Sequence, residues 1–181
     1  MTYRILRFFN IFIRWPLLWI LQIISYFRHY NWYTEFPDIP IILSGLPSVG
    51  YIKKNKDKIS LIINMCDEFL YDSCGIPTVH YNVIDGTEPD VNTYMHASVT
   101  IQNEILINNN KKILIHCKAG QYRSASILLA WLYYHYSIKR QFMSLTNCLQ
   151  YIKMYRPQVG NNIATRKNII VYTNIINNLF Y

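Results

Sequence analysis

An α/β fold, with a mainly parallel sheet flanked by helices, is what this sequence predicts, and three observations predict it. Short β-branched runs alternate with longer stretches of helical periodicity. One of these runs leads without a break into a glycine-containing loop and then into a helix that is apolar on nearly every side. The chain of 181 residues, 51% apolar and 15% charged, is large and apolar enough to bury one core, which excludes a disordered polymer.

The elements follow in chain order. Residues 1–30 form a hydrophobic, basic segment set apart by composition. From Phe8 to Phe27 they are mostly Phe, Ile, Leu and Trp, interrupted by Asn10, Arg14, Pro16, Gln22 and Ser25. A helix of roughly 20 residues reaches about 30 Å, the thickness of a hydrocarbon core. Arg14 would cost about 2.5–3.5 kcal/mol at mid-membrane, but it lies toward the N-terminal end, from which it can snorkel. Arg4, Arg7 and Arg14 fall on one helical face, as in an interfacial helix or an acid-free presequence. The expectation is an extra N-terminal hydrophobic helix that associates with an intracellular membrane through residues 5–30, as a span, a surface helix or a targeting peptide. Residues 31–40, with Pro37 and Pro40 as breakers, read as a linker, and residues 41–181 as one globular domain.

Within the domain, Ile41–Ser44, Ile59–Asn64 and residues 79–84 read as strands. Asp90 is placed to cap a helix from Val91 to about Asn108, with Val91, Tyr94, Met95, Ser98, Ile101 and Ile105 near one face. Residues 112–115 form a strand that runs into His116 and Cys117, and residues 124–136 form the apolar helix. Two more helices, about residues 140–155 and 163–179, flank Arg156-Pro157. There is no internal repeat.

The net charge of +8 suits an anionic partner. Four arginines without an acid stand in the first 34 residues and carry half of that excess. Nucleic acid is not the expected partner: Lys53, Lys54, Lys56 and Lys58, interrupted by Asp57, read as a solvated helix face. The four cysteines, Cys66, Cys74, Cys117 and Cys148, show no secreted-scaffold spacing and no C-x-x-C, so they are expected as thiols. Cys66, Cys74 and His80 lack metal-ligand offsets, and no metal or other cofactor is expected.

Chemistry concentrates in residues 116–124, His-Cys-Lys-Ala-Gly-Gln-Tyr-Arg-Ser, between a predicted strand and a predicted helix. A loop entering a helix N-terminus points backbone N–H groups inward, and the helix dipole adds positive charge. Such a nest, built here from Lys118, Ala119, Gly120, Gln121 and Tyr122, binds a phosphate and stabilises a thiolate at its base. Cys117 is therefore the expected nucleophile. Arg123 closes the loop, its planar fork matching two phosphate oxygens. Gly120 lets the backbone curl close to the ligand. Ser124 can donate a hydrogen bond to the sulfur, and His116 is expected to orient the loop through backbone hydrogen bonds. Cleavage also needs an acid to protonate the departing oxygen. Asp85, after a predicted strand and 32 residues before Cys117, is the favoured candidate; Glu88 and Asp90 are its rivals, Asp90 more naturally as a cap.

The spacing H-C-x-x-x-x-x-R-S resembles the signature of the cysteine-dependent protein tyrosine phosphatase superfamily, dual-specificity type. The position of Asp85 resembles that of the acid in its compact members. Five stretches are similar to the mitochondrial subfamily that dephosphorylates phosphatidylglycerophosphate: Asn31-Trp32-Tyr33, residues 42–47, Ile62-Ile63-Asn64, residues 116–120, and Tyr155-Arg156-Pro157-Gln158-Val159. Met65-Cys66-Asp67-Glu68 departs from that subfamily, as does uncharged Gln121 where it usually carries a base. The resemblance implies a dual-specificity-like fold, a phosphocysteine intermediate, a supporting role for Asn64 beside the phosphate loop, and no metal, since Arg123 and the amides supply the positive charge. It leaves the substrate open between phosphorylated protein, with phosphotyrosine and phosphoserine/threonine as targets, and a membrane phospholipid. A non-catalytic phosphate-binding protein is the alternative of another class, disfavoured by the joint presence of Cys117, Arg123 and Asp85.

Overall fold

The computed structural model describes residues 32–67 and 71–181. The expected N-terminal helix and its membrane contact through residues 5–30 lie outside the described residues. Among the described residues no helix is long and apolar enough to cross a membrane.

The order is β1 (Tyr33–Glu35), β2 (Ile41–Ser44), α1 (Val49–Asn55), β3 (Ile59–Asn64), β4 (Thr78–His80), α2 (Val91–Ile107), β5 (Lys112–His116), α3 (Arg123–Ile138), α4 (Leu145–Tyr155), a 3₁₀ turn (Asn161–Thr165) and α5 (Lys167–Phe180). The sheet runs β1-β2-β5-β3-β4. Its β2/β5, β5/β3 and β3/β4 pairs are parallel, and β1 pairs antiparallel to β2 at one edge. The result is a mixed sheet flanked by helices.

Side-chain alternation along the strands sorts the two faces. Ile41, Leu43, Leu61, Ile63, Ile113 and Ile115 point into the larger core, built with α2 to α5. Ile42, Ile62 and Leu114 point the other way, onto Ile52 of α1 and Ile76. A register irregularity between Ile59 and Leu61 inserts Ser60, so Ile59 joins the smaller cluster while Leu61 joins the larger. Helix α3 is enclosed on nearly every side, as its apolarity predicts. Fully buried Trp131 donates to Gln102 Oε1 at 3.3 Å, and the α5 hydroxyl of Tyr172 reaches Ser98 Oγ at 2.9 Å.

The central parallel strands end together: Ser44 and Asn64 both lie in register with His116. The crossover from β4 to β5 runs back across the sheet, opposite in direction to the crossover from β2 to β3, so a crevice opens at the C-terminal end of β5, where open α/β sheets take ligands.

Four local expectations change. The expected linker 31–40 contributes β1 and the buried Phe36 to the domain. The strand expected over residues 79–84 stops at His80, and residues 81–84 form a loop. The helix expected from residue 140 starts at Leu145, where the Ser144 hydroxyl accepts from the Asn147 amide; Arg140 has φ of 52°, incompatible with helix. The last helix is split into the 3₁₀ turn and α5. The four lysines Lys53, Lys54, Lys56 and Lys58 are exposed, the first two in the last turn of α1, where cations suit the helix dipole.

Candidate active site

Residues 116–124 leave β5 and enter α3 as a loop whose carbonyls are bound from outside. The amide of Leu46 binds Lys118 O at 3.0 Å and that of Gly160 binds Gln121 O at 3.1 Å. Arg156 binds the two carbonyls between them, Nη2 to Ala119 O at 3.4 Å and Nε to Gly120 O at 2.8 Å. Tyr122 O and Arg123 O are taken by the amide and the hydroxyl of Ser126. With its carbonyl edge turned away, the loop presents its amide edge to Cys117: Gly120 N–H points at Sγ at 3.2 Å. Ser124 Oγ lies 3.2 Å from the same sulfur. Cys117 is 3% exposed, at the floor of this cradle.

Two glycines make the cradle possible. Gly120 has φ of 67°, and a Cβ there would overlap the Arg156 guanidinium and lie 2.5 Å from Ser44 O. A Cβ on Gly45 would lie 2.9 Å from the Trp32 ring and 3.1 Å from Lys118 O. Trp32 donates its indole N–H to Leu46 O at 2.9 Å and so holds the turn whose amide grips the loop.

Arg123, 2% exposed, is oriented rather than free to swing. Its Nη1 donates to Val83 O at 2.8 Å and lies 3.6 Å from Asp67; its Nη2 lies 2.9 Å from Asp85. Cys117, the loop amides, Arg123 and Asp85 thus converge at the C-terminal end of β5. The pattern of the family described as dual specificity phosphatase, catalytic domain, matches residues 41–175. The chain belongs to this family.

Tyrosine phosphatase 123R of Invertebrate iridescent virus 6 is 28% identical over 103 residues, which cover 57% of this chain and 68% of that protein. Cyclin-dependent kinase inhibitor 3 of Sus scrofa is 31% identical over 114 residues, covering 55% and 53%. The chain thus spans about two thirds and about half of these curated relatives. The crystal structure of PTPMT1 in complex with PI(5)P superposes with a TM-score of 0.68 at 17% identity, covering 82% of this chain and 99% of that one; the likeness is one of fold.

The dual-specificity frame separates the three acid candidates. Asp90 accepts from the Thr93 amide at 2.6 Å and caps α2. Glu88 accepts from the Asn168 amide at 3.2–3.3 Å, in the first turn of α5. Both are committed to helix ends, whereas Asp85, 62% exposed, reaches the active-site arginine. Asn64 is buried and accepts from the Cys66 amide at 2.9 Å, shaping the chain that carries Asp67. His116 is buried, with the Tyr71 hydroxyl 2.6 Å from Nε2. Burial is the main cause that drives its pKa down to about 3, so the ring is neutral at physiological pH. Burial also raises the Tyr71 pKa, so its hydroxyl stays protonated and donates. His116 is thus a strut braced by the Tyr71 side chain and not, as expected, by hydrogen bonds to the loop backbone: its Nδ1 meets no hydrogen-bond partner among the described residues. Lys118 is exposed at the rim.

Sequence reasoning missed Arg156, Asp67, Trp32 and Tyr71 as parts of the site. Arg156 and Trp32 stood in stretches singled out by resemblance, without a role.

Proposed function

We propose that the chain is a dual-specificity protein phosphatase that hydrolyses phosphotyrosine and phosphoserine/threonine through a phosphocysteine intermediate. The observation that carries this reading is the outward binding of the four carbonyls from Lys118 to Gln121 around a buried Cys117. That arrangement costs several partners elsewhere in the fold and is suited to an anion at the sulfur. The phosphate would sit on the loop amides, with Arg123 forking two oxygens after release from Asp85. Cys117 Sγ would attack phosphorus while Asp85 protonates the leaving oxygen; Asp85, now a base, would activate the water that frees phosphate. Ser124 would steady the sulfur as it leaves. No step needs a cofactor. The test is phosphate release from an aryl phosphate and from matched phosphotyrosine, phosphoserine and phosphothreonine peptides. Hydrolysis of the aryl phosphate and the peptides is expected; a folded protein with no turnover supports the pseudophosphatase alternative.

The second reading is a membrane phospholipid phosphatase. It is supported by the fold likeness to PTPMT1, whose structure holds PI(5)P, and by the apolar N-terminal sequence. On this reading residues 5–30 keep the protein membrane-associated inside the cell and bring the site to the headgroup layer. Turnover of phosphatidylglycerophosphate or a phosphoinositide well above that of the peptides, with the full chain pelleting with membranes, would favour it over the first.

A further inference from the structure

Beside the phosphate loop lies a cleft of about 460 Å³ lined by Asp85, Gly86, Tyr122, Asn162 and Arg166. Its cation is Arg166, whose guanidinium carbon stands 5.5 Å from the centre of the Tyr122 ring, within cation–π range. Tyr122 is itself held, because its ring lies so close to Gly160 that any Cβ there would overlap it. Gly160 in turn donates its amide to Gln121 O. The guanidinium is therefore placed relative to the phosphate loop through two close contacts. Among the described residues no carboxylate pairs with Arg166. Asp85 lies 2.9 Å from Arg123, and Glu88 is engaged by the Asn168 amide. The chemistry described so far gives Arg166 no task.

We propose that Arg166, steadied on Tyr122 and flanked by Asn162, is a specificity subsite for a second anionic group next to the scissile phosphate, so that acid-flanked phosphopeptides are preferred. This rests on the protein phosphatase reading and deepens it. A planar guanidinium offers two parallel donors to a carboxylate or a second phosphate, and Asn162 adds an amide group. Gln121 is uncharged, and the loop's own cation, Lys118, does not line this cleft, whereas Arg166 does. A phospholipid headgroup with a phosphodiester could offer the same second anion.

The test uses the full chain and two phosphotyrosine peptides that differ only in Glu or Gln at the flanking positions. A short-chain phosphatidylinositol phosphate forms a third arm. For the wild type the Glu peptide should have the lower KM by about fivefold, equivalent to about 1 kcal/mol for a partly exposed ion pair. Arg166→Ala should bring the Glu-to-Gln ratio to about one, and Arg166→Lys should restore part of it. Affinities of both peptides for Cys117→Ser, with and without Arg166→Ala, give the same ratio without turnover. Absence of aryl phosphate hydrolysis would then defeat the phosphatase reading alone, while the binding ratio still decides the subsite. A ratio unchanged by Arg166→Ala overturns the proposal. So does an equal change for both peptides with a shifted alkaline limb of the pH–rate profile, which would mean that Arg166 acts through Asp85. Dependence on Arg166 in the lipid arm only also overturns it.

Discussion

The phosphate loop and the acid-bearing loop meet at Arg123 but are built on opposite plans. Residues 116–124 keep Cys117, Gly120, Arg123 and Ser124 buried and are bound from outside by Leu46, Gly160 and Arg156. Residues 83–89 hang between β4 and α2, with Ile84 and Asp85 both 62% exposed and Glu88 and the following Asp90 tied to helix ends. An anion nest works by being pre-formed, so its donors need no reorganisation when charge develops. A group proposed to leave Arg123, give a proton to one oxygen and later take one from water benefits from a loop exposed at its middle, with Val83 and Glu88 holding its two ends. The difference predicts that damage to the first loop reaches folding as well as chemistry, while damage to the second reaches chemistry alone.

The largest effect is expected at the sulfur. Cys117→Ser should lower turnover by several orders of magnitude, since the covalent route is lost. The serine variant should still bind vanadate or phosphate, because the amides and Arg123 remain. Retained turnover within tenfold of wild type in single-turnover assays would break the division of labour between nucleophile and nest.

Arg156 tests the folding half of the comparison. It is fully buried, donates also to Thr34 Oγ1 at 2.9 Å, and its partners include the carbonyls of Ala119 and Gly120. Arg156→Met should leave those acceptors unsatisfied and lower unfolding stability by about 3 kcal/mol or more. Anion binding should weaken with it, because the carbonyls of Ala119 and Gly120 are no longer held out. Denaturant unfolding and vanadate titration check both; full stability with intact binding would mean the loop holds its shape without Arg156.

These residues also show what a sequence discloses. The strands Ile41–Ser44 and Ile59–Asn64 were legible because β-branching and breakers act locally, and the phosphate loop because its signature spans nine residues. Arg156 lies 36 residues from the carbonyl it binds, and Tyr71 45 residues from His116. A buried arginine that satisfies carbonyls leaves no charge pattern to read, and β1 was hidden because three residues between breakers carry too little periodicity. Asp85 was favoured from its place after a strand and its offset from Cys117, and Asp90 was read as a cap; that Glu88 is engaged as well depends on Asn168, 80 residues away, which no local pattern shows.

Asp85→Asn tests the exposed loop. On substrates with poor leaving groups it should slow turnover by about 100-fold, toward the low end for general acid catalysis. On a nitrophenyl ester, whose oxygen leaves without a proton, the loss should be small. Unfolding stability should stay within about 0.5 kcal/mol of wild type, as for an exposed side chain. Equal slowing on both substrates would assign Asp85 to holding Arg123 rather than to proton transfer.

The smallest effect is expected at the strut under the nest. His116 has a folded pKa of about 3, lowered chiefly by burial, against an unfolded value near 6.5. The unfolded chain therefore binds a proton at this site between those values that the folded chain does not. Stability contributed by the neutral ring is fully present above about pH 6.5 and is lost as pH falls toward 3, by about 1.4 kcal/mol per pH unit at most. His116→Gln should flatten the stability profile between about pH 4 and 6 by close to one proton. The variant should also be less stable at neutral pH, because the Tyr71 hydroxyl loses a matched acceptor. Urea unfolding at intervals of half a pH unit reads both quantities. Identical slopes for variant and wild type would mean that His116 is protonated in the folded protein and is held by charge, in which case the strut beneath Cys117 is a cation and belongs to the anion nest itself.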